Sequence, residues 1–258
     1  MNLEQFKQDM DDKGWFILEG AASSELVSRL KKELNGIYPL YRKIQEKNNV
    51  AHLTEDTMHH TVVMSPSTLE FLDQNPAHPY LECYFEGNYI LNTLGGSVVT
   101  PNSGIYTRNI HRDARSFSGE QHLLVNTLLM LDDSTIENGC TWMYSGSHRV
   151  PDKPSEEEFF SNAVRVPCKA GDLIIFDGNI WHAAGKNTSA KNRNLLTPIY
   201  TKPLIKQQLD YPRAFGYDFA YNISDRLKQI LGYNALTPVT ISEFYKPNED
   251  RFYKSDQG

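Results

Sequence analysis

The spacing of apolar residues predicts that the first part of the chain, about residues 1–87, is mostly helical. Apolar side chains recur there every three or four positions, the repeat of an amphipathic helix with one buried face. The ranges with this repeat are 3–10, 26–37, 67–73 and 78–86. Between the first two, the apolar run 15–18 predicts a short buried strand. Pro39 is expected to bend or end the second helix, because proline has no backbone N–H to donate.

From about residue 88 to residue 202 the pattern changes to short strands. The candidate segments are rich in Leu, Ile, Val, Thr and Tyr and are separated by turn signals such as Gly95-Gly96 and Asn138-Gly139. They are 88–94, 97–100, 104–109, 122–131, 141–144, 163–166, 172–176, 180–184 and 194–201. The helices that would connect parallel strands are missing. The pattern therefore favours a sandwich or jelly roll over a parallel α/β sheet.

The chain contains no internal repeat and no linker-like segment, so we predict a single domain, 1–258. Its parts would be a helical N-terminal layer of about 1–87, a β core of about 88–202, and a C-terminal lid and helix, 203–258. The last helix is predicted at 223–231. The expected fold class is mainly β with flanking helices.

Charge and composition exclude several classes of function. The formal net charge of −6 leaves no basic surface for nucleic acid. No apolar run approaches the roughly 20 residues of a membrane helix, and the N-terminus lacks the basic start of a secretion signal. Three widely spaced cysteines, Cys83, Cys140 and Cys168, argue against a disulfide framework or a cysteine-based zinc site. We expect a cytoplasmic protein with a small-molecule substrate and with neither a membrane nor a nucleic-acid partner. The oligomeric state is left open.

A candidate metal site begins at His111 and Asp113. Two residues apart on a strand, their side chains would lie on the same face. With 8 histidines and 32 acidic residues in the chain, about one such triplet is expected by chance, so the triplet alone is weak. However, the apolar strand 172–176 is followed by His182, which brings a second imidazole beside a hydrophobic wall. Two imidazoles and one carboxylate on one face of an octahedron are the arrangement of non-haem Fe(II) oxygenases.

A cationic side chain suited to a dicarboxylic co-substrate follows the metal motif. Arg193 lies eleven residues beyond His182, on or just before the strand 194–201. A guanidinium group there can hold the distal carboxylate of a 2-oxo acid through two parallel hydrogen bonds. The sequence therefore suggests a dicarboxylic 2-oxo acid beside the metal ion.

Three segments make the chain similar to a known family. They are the opening strand segment 12–18 with the helix that follows it, the central strand–turn–strand segment 129–140, and the turn Ser-Gly-Ser-His at 145–148. The chain resembles, over nearly its whole length, the phytanoyl-CoA dioxygenase-like family of Fe(II)/2-oxoglutarate oxygenases. The family's usual proline before Gly-Ser-His is Ser145 here, a departure in a turn that leaves the metal site unaffected.

The resemblance implies a double-stranded β-helix, the jelly roll of cupin-like proteins, with the helical N-terminal layer packed on it. It also implies that His111, Asp113 and His182 bind the iron and that Arg193 anchors 2-oxoglutarate. All four positions of the family's motif are present and in order.

Two asparagines are further candidates for binding 2-oxoglutarate. Asn126 and Asn92 each interrupt an apolar run of a predicted strand; Asn126 forms a polar pair with Thr127, the alternative candidate of the two. A buried amide without a hydrogen-bond partner costs free energy, so a ligand is a plausible partner for each.

Four residues are candidates for contacts with the substrate. Arg115 directly follows the predicted iron ligands, and Arg213 and Tyr217 belong to a polar, aromatic segment that could act as a lid. Trp142 either lines the pocket or fills the core. A solvated surface position is the alternative for Arg115, Arg213 and Tyr217.

The function implied is an Fe(II)- and 2-oxoglutarate-dependent dioxygenase, which uses O₂ to hydroxylate a small organic substrate and forms succinate and CO₂. One alternative is a cupin-like metalloenzyme that does not use 2-oxoglutarate, which a missing arginine anchor would favour. The other is a non-catalytic, ligand-binding relative, which loss of a metal ligand would favour. The sequence leaves the substrate open, and with it the choice among hydroxylation, desaturation and cyclisation.

Overall fold

The computed structural model describes residues 2–251, which form two antiparallel β-sheets flanked by helices. The strands are β1 Trp15–Leu18, β2 Thr57–His59, β3 Ile90–Val99, β4 Leu124–Met130, β5 Thr141–Met143, β6 Val164–Val166, β7 Leu173–Asp177, β8 His182–Ala183 and β9 Arg193–Thr201. The helices are α1 Leu3–Asp12, α2 Ser24–Lys47, α3 Pro66–Gln74, α4 His78–Phe85, α5 Glu156–Asn162, α6 Tyr211–Phe215, α7 Asp225–Leu231 and α8 Ile241–Phe244. The predicted fold class, mainly β with flanking helices, is confirmed.

The larger sheet has six strands in the order β1-β7-β4-β9-β3-β2, and the smaller has three in the order β6-β5-β8. Neighbouring strands are antiparallel in both. An isolated antiparallel bridge between His111 and His182 adds a further segment beside β8. Apolar residues from both sheets form one buried cluster, which includes Leu128, Ile174 and Met143. The sheets therefore pack face to face, as in a jelly roll.

The helical layer covers the outer face of the larger sheet. Phe6 of α1 packs edge-on against Phe16 of β1, with ring centroids 5.4 Å apart. Leu34 of α2 lies against β3 at Gly96, where an added Cβ would lie 2.5 Å from the Leu34 Cδ1 atom. A side chain at position 96 would force Leu34 to move, so glycine favours this close approach of helix and strand. Because the outer face is covered in this way, the inner face remains for a cavity.

Three predicted boundaries are wrong. Helix α2 continues through Pro39 to Lys47. Pro39 has no N–H to donate to the Asn35 carbonyl group, but because both residues are exposed, water can bond to that carbonyl instead. The segment 104–109 is not a strand but contains a 3-10 turn at Tyr106–Arg108. The strands predicted at 88–94 and 97–100 form the single strand β3, because neither Gly95 nor Gly96 adopts a positive φ that would turn the chain. Helix α5 was not predicted.

The C-terminal segment packs on the helical layer. Tyr211 is buried, and its hydroxyl group lies 3.0 Å from His60 Nδ1. Helix α7 confirms the helix predicted at 223–231. Residues 252–258 of the predicted lid and helix lie outside the described residues, and the division into a layer, a core and a lid remains a prediction. No described helix has both the length and the apolar character that crossing a membrane requires.

Candidate metal centre and active site

The structure brings His111, Asp113 and His182 together. The backbones of the two histidines bond to each other in both directions, with N–O distances of 3.0 and 2.9 Å. One ligand atom from each of the three residues lies within 4.8 Å of the others. The Asp113 carboxylate faces both imidazoles, 3.8 Å from His111 Nε2 and 3.6 Å from His182 Nε2. This is the spacing expected of three ligands that share one ion.

The expectation that His111 and Asp113 lie on one strand is wrong. Only His111 is paired, through the bridge to His182, and Arg112 and Asp113 follow in an irregular turn. The side chains converge because the bridge fixes His111 beside His182 and because Ala114 N–H donates to the Gly178 carbonyl at 2.9 Å. The convergence is therefore produced by the tertiary fold and not by strand alternation.

Hydrogen bonds fix how both imidazoles present their nitrogens. His111 Nδ1 lies 2.7 Å from the Asn109 carbonyl oxygen, and His182 Nδ1 lies 3.0 Å from that of Ile180. A carbonyl only accepts, so each Nδ1 must carry a proton and each Nε2 faces Asp113. Metal-binding histidines show this arrangement.

The electrostatic environment keeps His182 neutral. Burial, and then the neighbouring His111, lower the pKa of His182 to about 4. At neutral pH the imidazole is therefore unprotonated and able to bind a metal ion. Two imidazoles and one carboxylate fit Fe(II), and the same donor set leaves open positions for a bidentate 2-oxo acid and O₂.

Asn126 contacts the metal centre through Asp113. It lies on β4, and its amide nitrogen donates to Asp113 Oδ2. Its amide oxygen is buried without a hydrogen-bond partner. The predicted hydrogen bond to 2-oxoglutarate stays a prediction, and it would need the amide nitrogen, because 2-oxoglutarate offers only acceptors. The observed contact of that nitrogen orients the Asp113 carboxylate.

We expect Asn126→Leu, which removes the donor at similar size, to weaken Fe(II) affinity and activity roughly 10- to 100-fold, as is typical for a partner that orients a metal ligand. The matched control is Thr127→Val on the same strand, which loses a 2.8 Å hydrogen bond to the Pro198 carbonyl. Metal titration of both variants, with melting temperatures, measures the difference. Equal losses in the two variants would contradict an orienting role for Asn126.

Arg193 carries a buried charge without an anionic partner. It begins β9 and is 1% exposed. Its Nη1 donates to Ser134 Oγ at 3.3 Å, while Nε is buried without a partner. Burial lowers the pKa of Arg193 to about 10, so the group is still protonated at neutral pH. None of the ion pairs among the described residues includes it. A buried cation of this kind fits the carboxylate of a bound ligand.

Arg193 and the three candidate ligands line one cavity of about 400 Å³. Its apolar wall includes Leu128, Leu195 and Phe176, and the Phe176 ring packs edge-on against His182 with centroids 4.9 Å apart. Thr197 and Ser97 add hydroxyl groups. The volume is that of a small-molecule site.

Of the remaining predicted residues, Arg115 lines the cavity and four do not. The Asn92 amide nitrogen donates to the Lys206 carbonyl at 3.0 Å. Trp142 packs on the other side of β5, where the Arg165 guanidinium lies 4.7 Å from its ring centroid. Arg213 and Tyr217 are exposed to solvent. Their predicted roles therefore have no support from the position of their side chains.

Two aromatic residues at the cavity were not assigned from the sequence. His59 of β2 and Tyr106 both line it, with His59 Nε2 3.3 Å from the Tyr106 hydroxyl. From the sequence alone, His59 lies in the helical N-terminal part and could face either the cleft or the solvent. Tyr106 carried no usable signal, because it lies in a 3-10 turn that was predicted as a strand.

Comparison with known proteins identifies the family. The family model described as phytanoyl-CoA dioxygenase (PhyH) matches residues 10–195. The chain belongs to this family. The matched region contains all three candidate metal ligands and Arg193, and it confirms the predicted resemblance to phytanoyl-CoA dioxygenases.

Relatives of this phytanoyl-CoA dioxygenase family member occur in bacteria and fungi. An uncharacterized protein of Mycobacterium tuberculosis is 34% identical over 154 residues, which are 60% of this chain and 56% of that protein. The chain thus spans a little over half the length of this relative. An iron/alpha-ketoglutarate-dependent dioxygenase of Aspergillus calidoustus is 24% identical over 255 residues, with 92% of this chain and 84% of that protein covered.

Solved structures share the fold of this family member. EctD from S. alaskensis, with 2-oxoglutarate and 5-hydroxyectoine, has a TM-score of 0.61 at 19% identity, covering 77% of this chain and 75% of that one. AviO1 from Streptomyces viridochromogenes has a TM-score of 0.60 at 19% identity, covering 78% and 95%. The predicted cupin-like jelly-roll fold is thereby confirmed.

Proposed function

We propose that this protein is a dioxygenase that hydroxylates a small organic substrate, using Fe(II), O₂ and 2-oxoglutarate and forming succinate and CO₂. Membership of the phytanoyl-CoA dioxygenase family supports the coarser part of this proposal, the enzyme class. The fungal iron/alpha-ketoglutarate-dependent relative agrees with the choice of metal and co-substrate.

The observation that carries the proposal is a shared cavity. A histidine–aspartate–histidine cluster and a buried arginine with an unpartnered nitrogen line the same space of about 400 Å³. The cluster matches the facial site of an Fe(II) oxygenase. The arginine matches a dicarboxylate whose other end reaches that site.

Each side chain then has a role that follows from its environment. His111, Asp113 and His182 would hold Fe(II), with both Nε2 atoms oriented by their Nδ1 hydrogen bonds. Asn126 would keep the Asp113 carboxylate turned toward the metal. Arg193 would hold the far carboxylate of 2-oxoglutarate. When bound, the iron and the 2-oxo acid supply with O₂ the oxidising power to replace a substrate C–H bond by C–OH.

The protein's own contribution is position and exclusion of water. Leu128, Phe176 and Leu195 border the cavity on its apolar side, which limits solvent near the reacting groups. Fixed ligands and a fixed anchor hold co-substrate and substrate in a defined relation, and such positioning can supply a large part of a rate enhancement.

The alternative functions lack a supporting observation. A cupin-like metalloenzyme that does not use 2-oxoglutarate would have no need for a protonated, buried Arg193 at the cavity. A non-catalytic relative would have no need for three ligand atoms within 4.8 Å of one another. We therefore favour the oxygenase.

Purified protein supplied with Fe(II), 2-oxoglutarate and ¹⁸O₂ tests the proposal before the substrate is known. Dioxygenases of this class oxidise some 2-oxoglutarate without substrate, and we expect Fe(II)-dependent succinate that carries one ¹⁸O atom in its new carboxylate. Mass spectrometry of the succinate measures this. Succinate without label, or no succinate at any Fe(II) concentration, would overturn the proposed function.

A further inference from the structure

The cavity lining carries more positive charge than the binding of the metal ion and the co-substrate requires. Among the described lining residues, Asp113 is the one carboxylate, whereas Arg112, Arg115 and Arg193 are guanidinium groups. The two charges of 2-oxoglutarate and the charge of Asp113 together balance Fe(II) and Arg193. Arginine stays protonated in proteins, so two guanidinium charges remain uncompensated. The whole chain has a net charge of −6, so this local excess does not simply reflect composition.

The first of these groups, Arg112, is held in place without an anion. Its guanidinium carbon lies 5.0 Å from the Trp181 ring centroid and 5.4 Å from that of Phe117. Its Nη1 is buried and has no hydrogen-bond partner. The aromatic rings thus fix the orientation of a charge whose polar contacts are incomplete.

The second, Arg115, lies where a substrate would pass. It lines the cavity and is exposed to solvent, which places it at the mouth. Buried Ala114 ties the loop to the Gly178 carbonyl immediately before it. No hydrogen bond or ion pair of the Arg115 side chain occurs within the described range 2–251. Its donors are therefore available to a molecule that enters the cavity.

We propose that the primary substrate carries a carboxylate or phosphate group and that Arg115 binds this group at the cavity mouth, with Arg112 adding to the positive field. The proposal rests on the proposed function, since it takes the oxidised molecule to enter beside the metal. The planar guanidinium group forms paired hydrogen bonds with either anion. Binding there would leave the remainder of the substrate directed toward the iron ligands.

The binding of small anionic fragments to an enzyme that holds a metal ion and a co-substrate analogue but cannot turn over distinguishes the Arg115 site from the Arg193 site. The protein is loaded with Zn(II) and N-oxalylglycine, an unreactive 2-oxoglutarate analogue that occupies the anchor. Two matched pairs are then titrated by calorimetry or ligand-observed NMR: benzoate against benzamide, and phenyl phosphate against its neutral dimethyl ester. The pair with the larger anion preference identifies which of the two anions the site selects.

We expect at least one anion to bind wild type about 10-fold more tightly than its neutral partner, equivalent to about 1.4 kcal/mol. Arg115→Gln should abolish that preference. Arg29→Gln should retain it, because Arg29 lies on α2, pairs with Glu70 and is half exposed. Equal binding of both partners in wild type, no binding of either anion at millimolar concentration, or an unchanged preference in Arg115→Gln would overturn the proposal.

The titration needs no turnover, so the two proposals fail separately. Unlabelled or absent succinate in the ¹⁸O₂ experiment defeats the oxygenase function and leaves any anion preference standing. Labelled succinate together with equal binding of charged and neutral fragments defeats the anion site alone.

Discussion

Replacing His182 by alanine is expected to reduce Fe(II)-dependent succinate formation by more than about 100-fold, beyond the usual cost of losing a residue that only orients a ligand. His182 is 6% exposed, and its Nε2 lies 3.6 Å from the Asp113 carboxylate. Without that nitrogen, two donors remain on the open side of the cavity, and Fe(II) should bind weakly as well as react poorly. Metal titration and succinate formation, measured side by side, test both effects.

The matched control is His122→Ala. The His122 ring stacks on Tyr84 with centroids 4.4 Å apart, and its Nδ1 lies 2.8 Å from the Tyr84 carbonyl. This variant loses a histidine that also has one ring contact and one carbonyl hydrogen bond, but that is exposed and lies outside the cavity lining. It should therefore bind iron and form succinate normally. Full turnover by His182→Ala would remove His182 from the metal centre. Equal loss in both variants, with lowered melting temperatures, would indicate damage to the fold.

Replacing Arg193 by methionine is expected to raise the apparent KM for 2-oxoglutarate roughly 30- to 1000-fold. Truncating one partner of a buried charge pair typically costs about 2–4 kcal/mol, which converts to that range. The effect should fall mainly on co-substrate affinity, because Arg193 is proposed to hold the end of 2-oxoglutarate that does not react. Arg193→Lys should recover only part of the affinity, since an ammonium group cannot form the two-pronged contact.

Thermal unfolding distinguishes lost affinity from a damaged fold in the Arg193 variants. Wild type at 2-oxoglutarate one hundred times its Kd should gain about 2.7 kcal/mol of stability, while a variant with 100-fold weaker affinity gains only about 0.4 kcal/mol at the same concentration. Without co-substrate, Arg193→Met should be at least as stable as wild type, because a buried charge without an anionic partner is removed. Arg165→Met, which removes an arginine packed on Trp142, is the control. An Arg193→Met enzyme with unchanged 2-oxoglutarate dependence would place the anchor elsewhere.

The sequence by itself determined the elements whose signal is local. A buried strand shows as a short apolar run, and an amphipathic helix repeats its apolar residues every three or four positions. Strand β1 and helix α2 were therefore predicted close to where they lie, although the end of α2 was not. The prediction of the metal ligands rested on motif spacing and on resemblance to a family, both of which are properties of the sequence.

The segment that runs from Tyr106 to Asp113 shows where local signals fail. Residues 104–109 were predicted as a strand, and the spacing of His111 and Asp113 was interpreted as that of a strand. The structure instead has a 3-10 turn at Tyr106–Arg108 and a single bridged residue, His111. The hydrogen bonds that hold this region come from Gly178 and His182, more than sixty residues away. The local pattern of apolar and polar residues carries no information about hydrogen-bond partners that lie so far away in the sequence.

Asn92 and Asn126 show most directly what only the tertiary structure decided. Each is a polar residue within an apolar strand, and each was predicted to bind 2-oxoglutarate for the same reason. Asn126 is in register between β7 and β9 and reaches Asp113. Asn92 lies where the pairing of β3 with β9 shifts by one residue, and its amide donates to Lys206 instead. Because successive side chains of a strand point to opposite faces, one extra residue is enough to turn an amide away from the cavity, and that shift depends on the partner strand.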